Sequence, residues 1–246
     1  MKRLHDILSN GRKKVAILID PDKTRGEAEI EDLLARIKLL NPTFIFVGGS
    51  TVSENDLHAC LTQIKSKTAI PVVIFPGSRQ QINELADGIL FLSLLSGRNP
   101  DYLISHQVES AHLLKKMEIE TISTAYLLID GGKNSSVAYV SQTSPIPSDQ
   151  EGIAVKTAIA GEMLGFQCVF MDAGSGAINP VPEKMIKAVK QNIDLPLIVG
   201  GGLRTTEAVE NAFNAGADLV VIGNKVEEDA DFLLDLAGYF SETSKE

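Results

Sequence analysis

Short runs of branched apolar residues alternate along the whole chain with longer segments whose apolar residues recur at helical spacing. The first run, residues 15–20, is stopped by the turn chemistry of Asp20, Pro21 and Asp22, so this strand ends on a carboxylate. Ile30, Leu33, Leu34, Ile37 and Leu40 then predict a helix, and a second strand at 43–47 runs into Gly48, Gly49, Ser50 and Thr51. A helix over 53–65 leads to a third strand at 72–75, and a fourth follows at 89–93. Only about a dozen residues separate those two strands, near the minimum for a parallel crossover, so the connection should be short or irregular. Asn99 before Pro100 supplies an N-cap and a first helical residue for a long helix reaching about residue 117. A fifth strand, 122–130, ends in Gly131, Gly132 and Lys133. The polar stretch after it, 134–147, is long enough to suggest a lid or substrate-binding segment. A helix over 149–164 and a strand over 167–172 come next, the strand meeting the turn Ala173 to Gly176. Two more strands end in Gly200 to Gly202 and in Gly223, and Val226, Ala230, Leu233, Leu234, Ala237 and Phe240 form the stripe of a last helix.

Eight strands alternating with helices, without a linker or a change of composition, predict an α/β chain folded as a single (β/α)8 barrel over residues 1–246. Residues 1–12 form an N-terminal segment and 241–246 a frayed tail. An open doubly wound sheet is the alternative. In such a barrel the loops after strands seven and eight commonly hold a phosphate. Glycines let backbone N–H groups approach the anion, and a helix opening at Thr205 or Thr206 would add its positive end. A tight turn at Gly200 to Gly202 is the plainer reading, but the second glycine end at Gly223 recurs one βα unit later.

Composition narrows the function classes. With 44% hydrophobic and 22% charged residues the chain is an ordinary globular protein, and a net charge of −9 argues against a nucleic-acid surface. An anionic ligand therefore needs a local pocket or a metal. Cys60 and Cys168 have neither zinc nor disulfide-framework spacing and are expected as buried reduced thiols. The N-terminus lacks the apolar core of a signal peptide and no apolar run approaches the ~20 residues of a membrane span, so a cytoplasmic location is expected.

Every chemically informative cluster falls where a strand hands over to a helix, which in a barrel means around one mouth. Asp20 with Ser50 is a hard, oxygen-rich pair suited to Mg2+, set against a turn aspartate and an N-cap serine. Lys23, Arg79 and Lys133 are cations near strand ends that either meet a second anionic group or are solvated loop charges. His5, His58, His106 and His112 all fall on helices or in the N-terminal segment, which argues against histidine catalysis. Asp172, at the end of the sixth strand, either takes a proton from a substrate hydroxyl or caps the turn that follows it.

Taken in order, LIDPDK (18–23), VGGST (47–51), VIFPGS (73–78), FLSLLSGRNPDY (91–102), IDGGK (129–133), DAGSGA (172–177), VGGGLR (199–204) and IGN (222–224) resemble the geranylgeranylglyceryl phosphate synthase family, of PcrB-like barrels, along almost the whole chain. The resemblance implies Mg2+-dependent transfer of a geranylgeranyl or similar prenyl group from a prenyl diphosphate to the C3 hydroxyl of sn-glycerol 1-phosphate, giving an ether-lipid precursor. It also implies metal contacts at Asp20 and Ser50, and glycerol-phosphate contacts at Phe170, Met171, Asp172, Ala173, Gly174, Ser175, Gly176, Gly201, Gly202, Gly223 and Asn224. Lys23 and Lys133 would then meet the diphosphate. A homo-oligomer, dimer or hexamer, and transient contact with a membrane surface are the expected associations. Two departures stand out: the sixth-strand motif usually reads Tyr-Leu-Glu, and here it is Phe170, Met171 and Asp172, lacking a hydroxyl and shortening the carboxylate.

Two other function classes share part of the pattern. A phosphate-binding barrel isomerase or lyase would use the glycine ends without the metal pair or an apolar groove. A non-catalytic barrel binding a phosphorylated metabolite would tolerate loss of Asp172.

Overall fold

The structure of the protein is a computed structural model that describes residues 3–243 apart from 12, 25, 224, 227, 228 and 230. Each apolar run becomes one parallel strand: β1 (Lys14–Ile19), β2 (Phe44–Val47), β3 (Val72–Ile74), β4 (Gly88–Leu94), β5 (Glu120–Leu128), β6 (Cys168–Asp172), β7 (Leu197–Gly200) and β8 (Leu219–Ile222). They pair in chain order, and Ala16 is in register with Phe44 of β2 on one side and Val221 of β8 on the other. That double pairing closes the sheet and excludes the open alternative. The fold is a (β/α)8 barrel.

Strand alternation sorts the apolar side chains into two sets. Phe46, Val73, Leu90, Ile122, Tyr126, Phe170, Ile198 and Val221 pack with one another inside the barrel. Ile17, Ile45, Ile74, Leu127, Val169, Met171 and Val199 pack outward under the helices α2 (Glu27–Leu40), α3 (Glu54–Lys67), α4 (His106–Lys116), α6 (Glu151–Met163), α7 (Glu183–Lys190) and α8 (Thr206–Ala215). The N-terminal helix α1 (Leu4–Leu8) sends Leu4 and Leu8 into the inner set, with Leu4 against Gly88 at the start of β4. The Glu120 carboxylate accepts the N–H groups of Leu4 (2.7 Å) and His5 (3.0 Å), which fixes this plug at the strand N-termini. The same rim is pinned twice, half a barrel apart. Asp87 accepts from Lys65 Nζ (2.7 Å) and the Val72 N–H (2.7 Å), and Asp218 accepts from Lys190 Nζ (2.8 Å) and the Leu197 N–H (2.7 Å).

Several expectations change in detail. No helix at all forms among residues 75–87, every one of which is described, so the irregular connection between β3 and β4 leaves β3 without a helix following it. The helix after Asn99 begins as a π turn, Asp101–Ser105, before α4. Ser93 Oγ donates to the Leu103 carbonyl (3.0 Å) and Gln107 Nε2 to the carbonyls of Leu92 and Tyr102, so these groups are held by side chains. The polar stretch 134–147 contains a short helix, α5 (Ser136–Ser141), capped by the Ser135 hydroxyl on the Ala138 N–H (3.1 Å). The last helix, α9 (Phe232–Thr243), passes the expected tail boundary, and residues 244–246 lie outside the described residues. Its buried stripe is Phe232, Leu233 and Leu236 with Phe240 against the core, while Leu234 is 44% exposed. The expected stripe thus slips because Leu234 turns away by one position. Ala230 is outside the described residues. Burying Leu236 rather than leaving it exposed contributes about 1.5–3 kcal/mol.

Candidate active site

One cavity of about 340 Å³ opens at the C-terminal ends of the strands and is walled by Asp20, Ser50, Phe170, Asp172, Gly174, Ser175, Gly176, Gly200 to Gly202 and Gly223. The sequence-predicted clusters therefore share one mouth. From there the cavity continues past Leu92 and Leu94 to Ile82, Ile89 and Leu114, and Val137 and Val140 of α5 line it as well. Ile82, Ile89 and Leu114 belong to the outer apolar set, so the cavity crosses the barrel wall where the helix between β3 and β4 is missing. A polar mouth thereby joins an apolar groove.

Asp172 is the last residue of β6, points inward and is 7% exposed. Its Oδ2 accepts the Tyr126 hydroxyl at 2.5 Å and its Oδ1 accepts the Gly174 N–H at 2.8 Å. Burial pushes the carboxyl above its ordinary value, against the two donors, which pull it down. The turn-cap reading is thus met in part, yet the carboxylate keeps lone pairs for a further donor. Tyr126 sits on β5 opposite Phe170 in register, its ring edge-on to Phe170 at 5.4 Å and to Phe75 at 5.9 Å. A tyrosine from the neighbouring strand supplies a hydroxyl beside the carboxylate where Phe170 has none. Burial and the adjacent Asp172 hold that phenol well above its ordinary pKa, so it stays a donor.

Alternation corrects the expected contact set on this strand. Phe170 and Asp172 face the cavity, whereas Met171, fully buried in the outer set, faces the helices and does not wall it. Ala173 also stays off the wall, its N–H given to the Gly200 carbonyl at 3.0 Å.

The glycines fall into two kinds. Gly201 and Gly202 have φ of +80° and +71°, and a Cβ on Gly202 would lie 2.7 Å from Pro180 N, so both are required by the turn itself. Gly223 meets nothing closer than the Leu18 side chain at 3.4 Å, so its missing side chain is missing only toward the cavity. Helix α8 opens as expected, with Thr205 as N-cap accepting the Ala208 N–H at 3.1 Å. Asn224 lies outside the described residues.

Next around the mouth, on the β1 loop beside β8, Asp20 Oδ1 accepts the Asp22 N–H (3.1 Å) and its Oδ2 is 3.5 Å from Lys23 Nζ. Thr51 Oγ1 donates to Asp22 Oδ2 at 2.7 Å. A Cβ on Gly49 would sit 2.7 Å from Asp20 Oδ1, so the β1 and β2 loops touch here. The N-cap role considered for Ser50 is filled by Ser53, whose Oγ accepts the Asp56 N–H. Among the described residues no cluster of three or more His, Cys, Asp or Glu side chains suits a metal. Asp20 and Ser50 fit a Mg2+ that takes its remaining oxygens from water and substrate phosphates.

Lys23 lines the cavity; Lys133 does not, its Nζ lying over Gly176 instead, 3.7 Å from where a Cβ would stand. Arg79 lines it while paired to Glu109 at 2.5 Å. Arg204, Lys225, His106 and Tyr126 also wall the cavity, and none of them was given a site role from the sequence. Arg204 alone carried a signal, as the first cation after three glycines. Cys60 and Cys168 are buried, and burial pushes both thiols up to about 12, so neither offers a nucleophile.

Residues 8–237 match the PcrB family model. The geranylgeranylglyceryl phosphate synthase of Flavobacterium johnsoniae is 51% identical over 223 residues, covering 91% of each chain. That of Pyrococcus horikoshii is 40% identical over 229 residues, 92% of this chain and 88% of the relative. The crystal structure of (S)-3-O-geranylgeranylglyceryl phosphate synthase from Thermoplasma acidophilum, in complex with substrate sn-glycerol-1-phosphate, superposes with a TM-score of 0.90 at 37% identity, covering 96% of both chains.

Proposed function

The chain belongs to the PcrB family, and from that premise we propose that it makes geranylgeranylglyceryl phosphate, as a prenyltransferase acting on sn-glycerol 1-phosphate and a long prenyl diphosphate. The observation that carries this reading is the cavity itself, which joins glycine strand ends and a buried carboxylate to an apolar groove outside β4. A barrel isomerase acting on a small phosphorylated sugar has no use for that groove.

In this mechanism the acceptor phosphate lies against Gly201, Gly202 and Gly223, with Ser175 and Gly176 at its side, and the glycerol reaches toward Asp172. Asp172 takes the proton of the C3 hydroxyl while that oxygen bonds to the allylic carbon. The bond from that carbon to the diphosphate breaks, and the diphosphate leaves with the electron pair. Tyr126 holds Asp172 in place, and a carboxyl raised by burial is the stronger base for it. Bound by Asp20 and Ser50, Mg2+ would neutralise the diphosphate as it leaves. Lys23 adds charge from the same side of the mouth, and Lys133 does so only by reaching over Gly176. The walls outside β4 take up the prenyl chain and exclude water.

A cytoplasmic location is part of the proposal. Among the described residues no helix is long and apolar enough to cross a membrane. Transient contact with a membrane surface would deliver the lipid. A homo-oligomer, dimer or hexamer, is part of the proposal, supported by the exposed apolar side chains Ile104, Val108 and Tyr139 and tested by light scattering. Incubation of radiolabelled sn-glycerol 1-phosphate with prenyl diphosphates of several lengths tests the activity. Mg2+-dependent label in the organic phase is expected, and turnover of a phosphorylated sugar without it would count for the isomerase.

A further inference from the structure

We propose that Gln81 is a positioning residue that sets the β2 loop, and with it Ser50, at the height needed to grip a magnesium-bound diphosphate; this rests on the function proposed above. Gln81 lies in the helix-free connection between β3 and β4 and is fully buried. Its Oε1 accepts the Gly77 N–H at 3.0 Å, and its Nε2 donates to the carbonyls of Gly49 (2.8 Å) and Val52 (3.1 Å). One amide thus ties the loop after β3 to both ends of the segment that carries Ser50 and Thr51.

The two loops are in backbone contact at this point. A Cβ on Gly77 would lie 2.3 Å from the Gly49 carbonyl oxygen and 2.8 Å from the Ser50 Cα, and one on Gly48 would lie 2.0 Å from the Phe75 carbonyl oxygen. Elsewhere in the barrel a helix follows each strand; after β3 none does, and Gln81 belongs to the irregular connection that stands in its place. An uncharged amide is needed for the task. It presents one acceptor to an N–H and two donors to two carbonyls, which no carboxylate can match. Loss of the donors would take this partner from the half-buried Gly49 carbonyl and the buried Val52 carbonyl and free the Ser50 segment to move. The glycine ends of β7 and β8 share no hydrogen bond with this amide.

Calorimetry of the full chain tests the inference, with magnesium pyrophosphate and sn-glycerol 1-phosphate as the two probes. In Gln81→Glu, magnesium pyrophosphate affinity should fall roughly 10–100-fold, the scale seen when a group that orients a metal ligand is removed. Affinity for sn-glycerol 1-phosphate should stay within about twofold. The loss should shrink at acid pH, where the introduced carboxyl is protonated and regains one donor. Gly77→Ala, which pushes on the same contact with Gln81 intact, should reproduce the selective loss and serves if Gln81→Glu does not fold. Unimpaired pyrophosphate binding in these variants, or equal loss of both probes, would overturn the role of Gln81. A parent protein that binds no pyrophosphate with Mg2+ would overturn the diphosphate site as well.

Discussion

Replacing Asp172 by Asn separates the proposed base from the turn cap, because the amide can preserve the turn while removing the carboxylate. Oδ1 of an asparagine would still accept the Gly174 N–H, now found at 2.8 Å, and its NH2 would donate to the Tyr126 oxygen, now at 2.5 Å, once the phenol hydrogen rotates away. General-base assistance is worth ~10²–10⁴-fold, or about 3–5 kcal/mol of barrier, so single-turnover rates should fall by that factor while sn-glycerol 1-phosphate affinity holds. Stability should move the other way. The folded-state pKa of Asp172 lies above the ordinary 3.8, so its favourable contribution is complete below 3.8 and is lost as pH rises through the folded value. At neutral pH the buried carboxylate is therefore a cost, and the Asn variant should melt no lower than the parent, with the difference closing below 3.8. A rate within about threefold of the parent, accompanied by a drop in Tm at pH 7, would leave Asp172 as a turn cap and refute the base assignment.

Three further outcomes are expected. Tyr126→Phe keeps the ring contacts with Phe75 and Phe170 but removes a donor that lowers the Asp172 pKa, so the acid limb of kcat/KM should shift to higher pH; an unmoved limb would detach Tyr126 from the chemistry. Gly223→Ala should leave Tm nearly unchanged and weaken sn-glycerol 1-phosphate binding, whereas Gly202→Ala should cost roughly 1–3 kcal/mol in backbone strain alone; the reverse order by calorimetry and thermal melts would exchange their roles. Asp20→Asn should abolish the response of turnover to a Mg2+ titration with little change in Tm, and an unchanged titration would place the metal elsewhere.

Much of the site was legible because barrel chemistry is written at strand ends. Asp20, Ser50, Asp172, Gly201, Gly202 and Gly223 each close an apolar run, and in this fold such ends meet at one mouth whatever the loops between them do. The short spacing after β3 likewise announced a short or irregular connection, and no helix forms there. Side-chain alternation was also present in the letters, and it is why Met171 belongs to the outer set although it sits inside the motif. What the chain pattern does not contain is register. Tyr126 reaches Asp172 across 46 positions only because β5 and β6 align Tyr126 with Phe170, and that alignment is fixed by packing over both strands. Gln81 looks like any polar loop residue until the absence of a helix buries it among three backbone groups. The cations were the least legible, since long side chains choose partners after the backbone is set: Lys133 extends over Gly176, while Arg204 and Lys225 wall the cavity. Periodicity and turn chemistry, which act between near neighbours, determined the elements and their ends. Closure of β8 on β1 and the contacts across it depend on residues far apart in sequence, and those the tertiary structure alone decided.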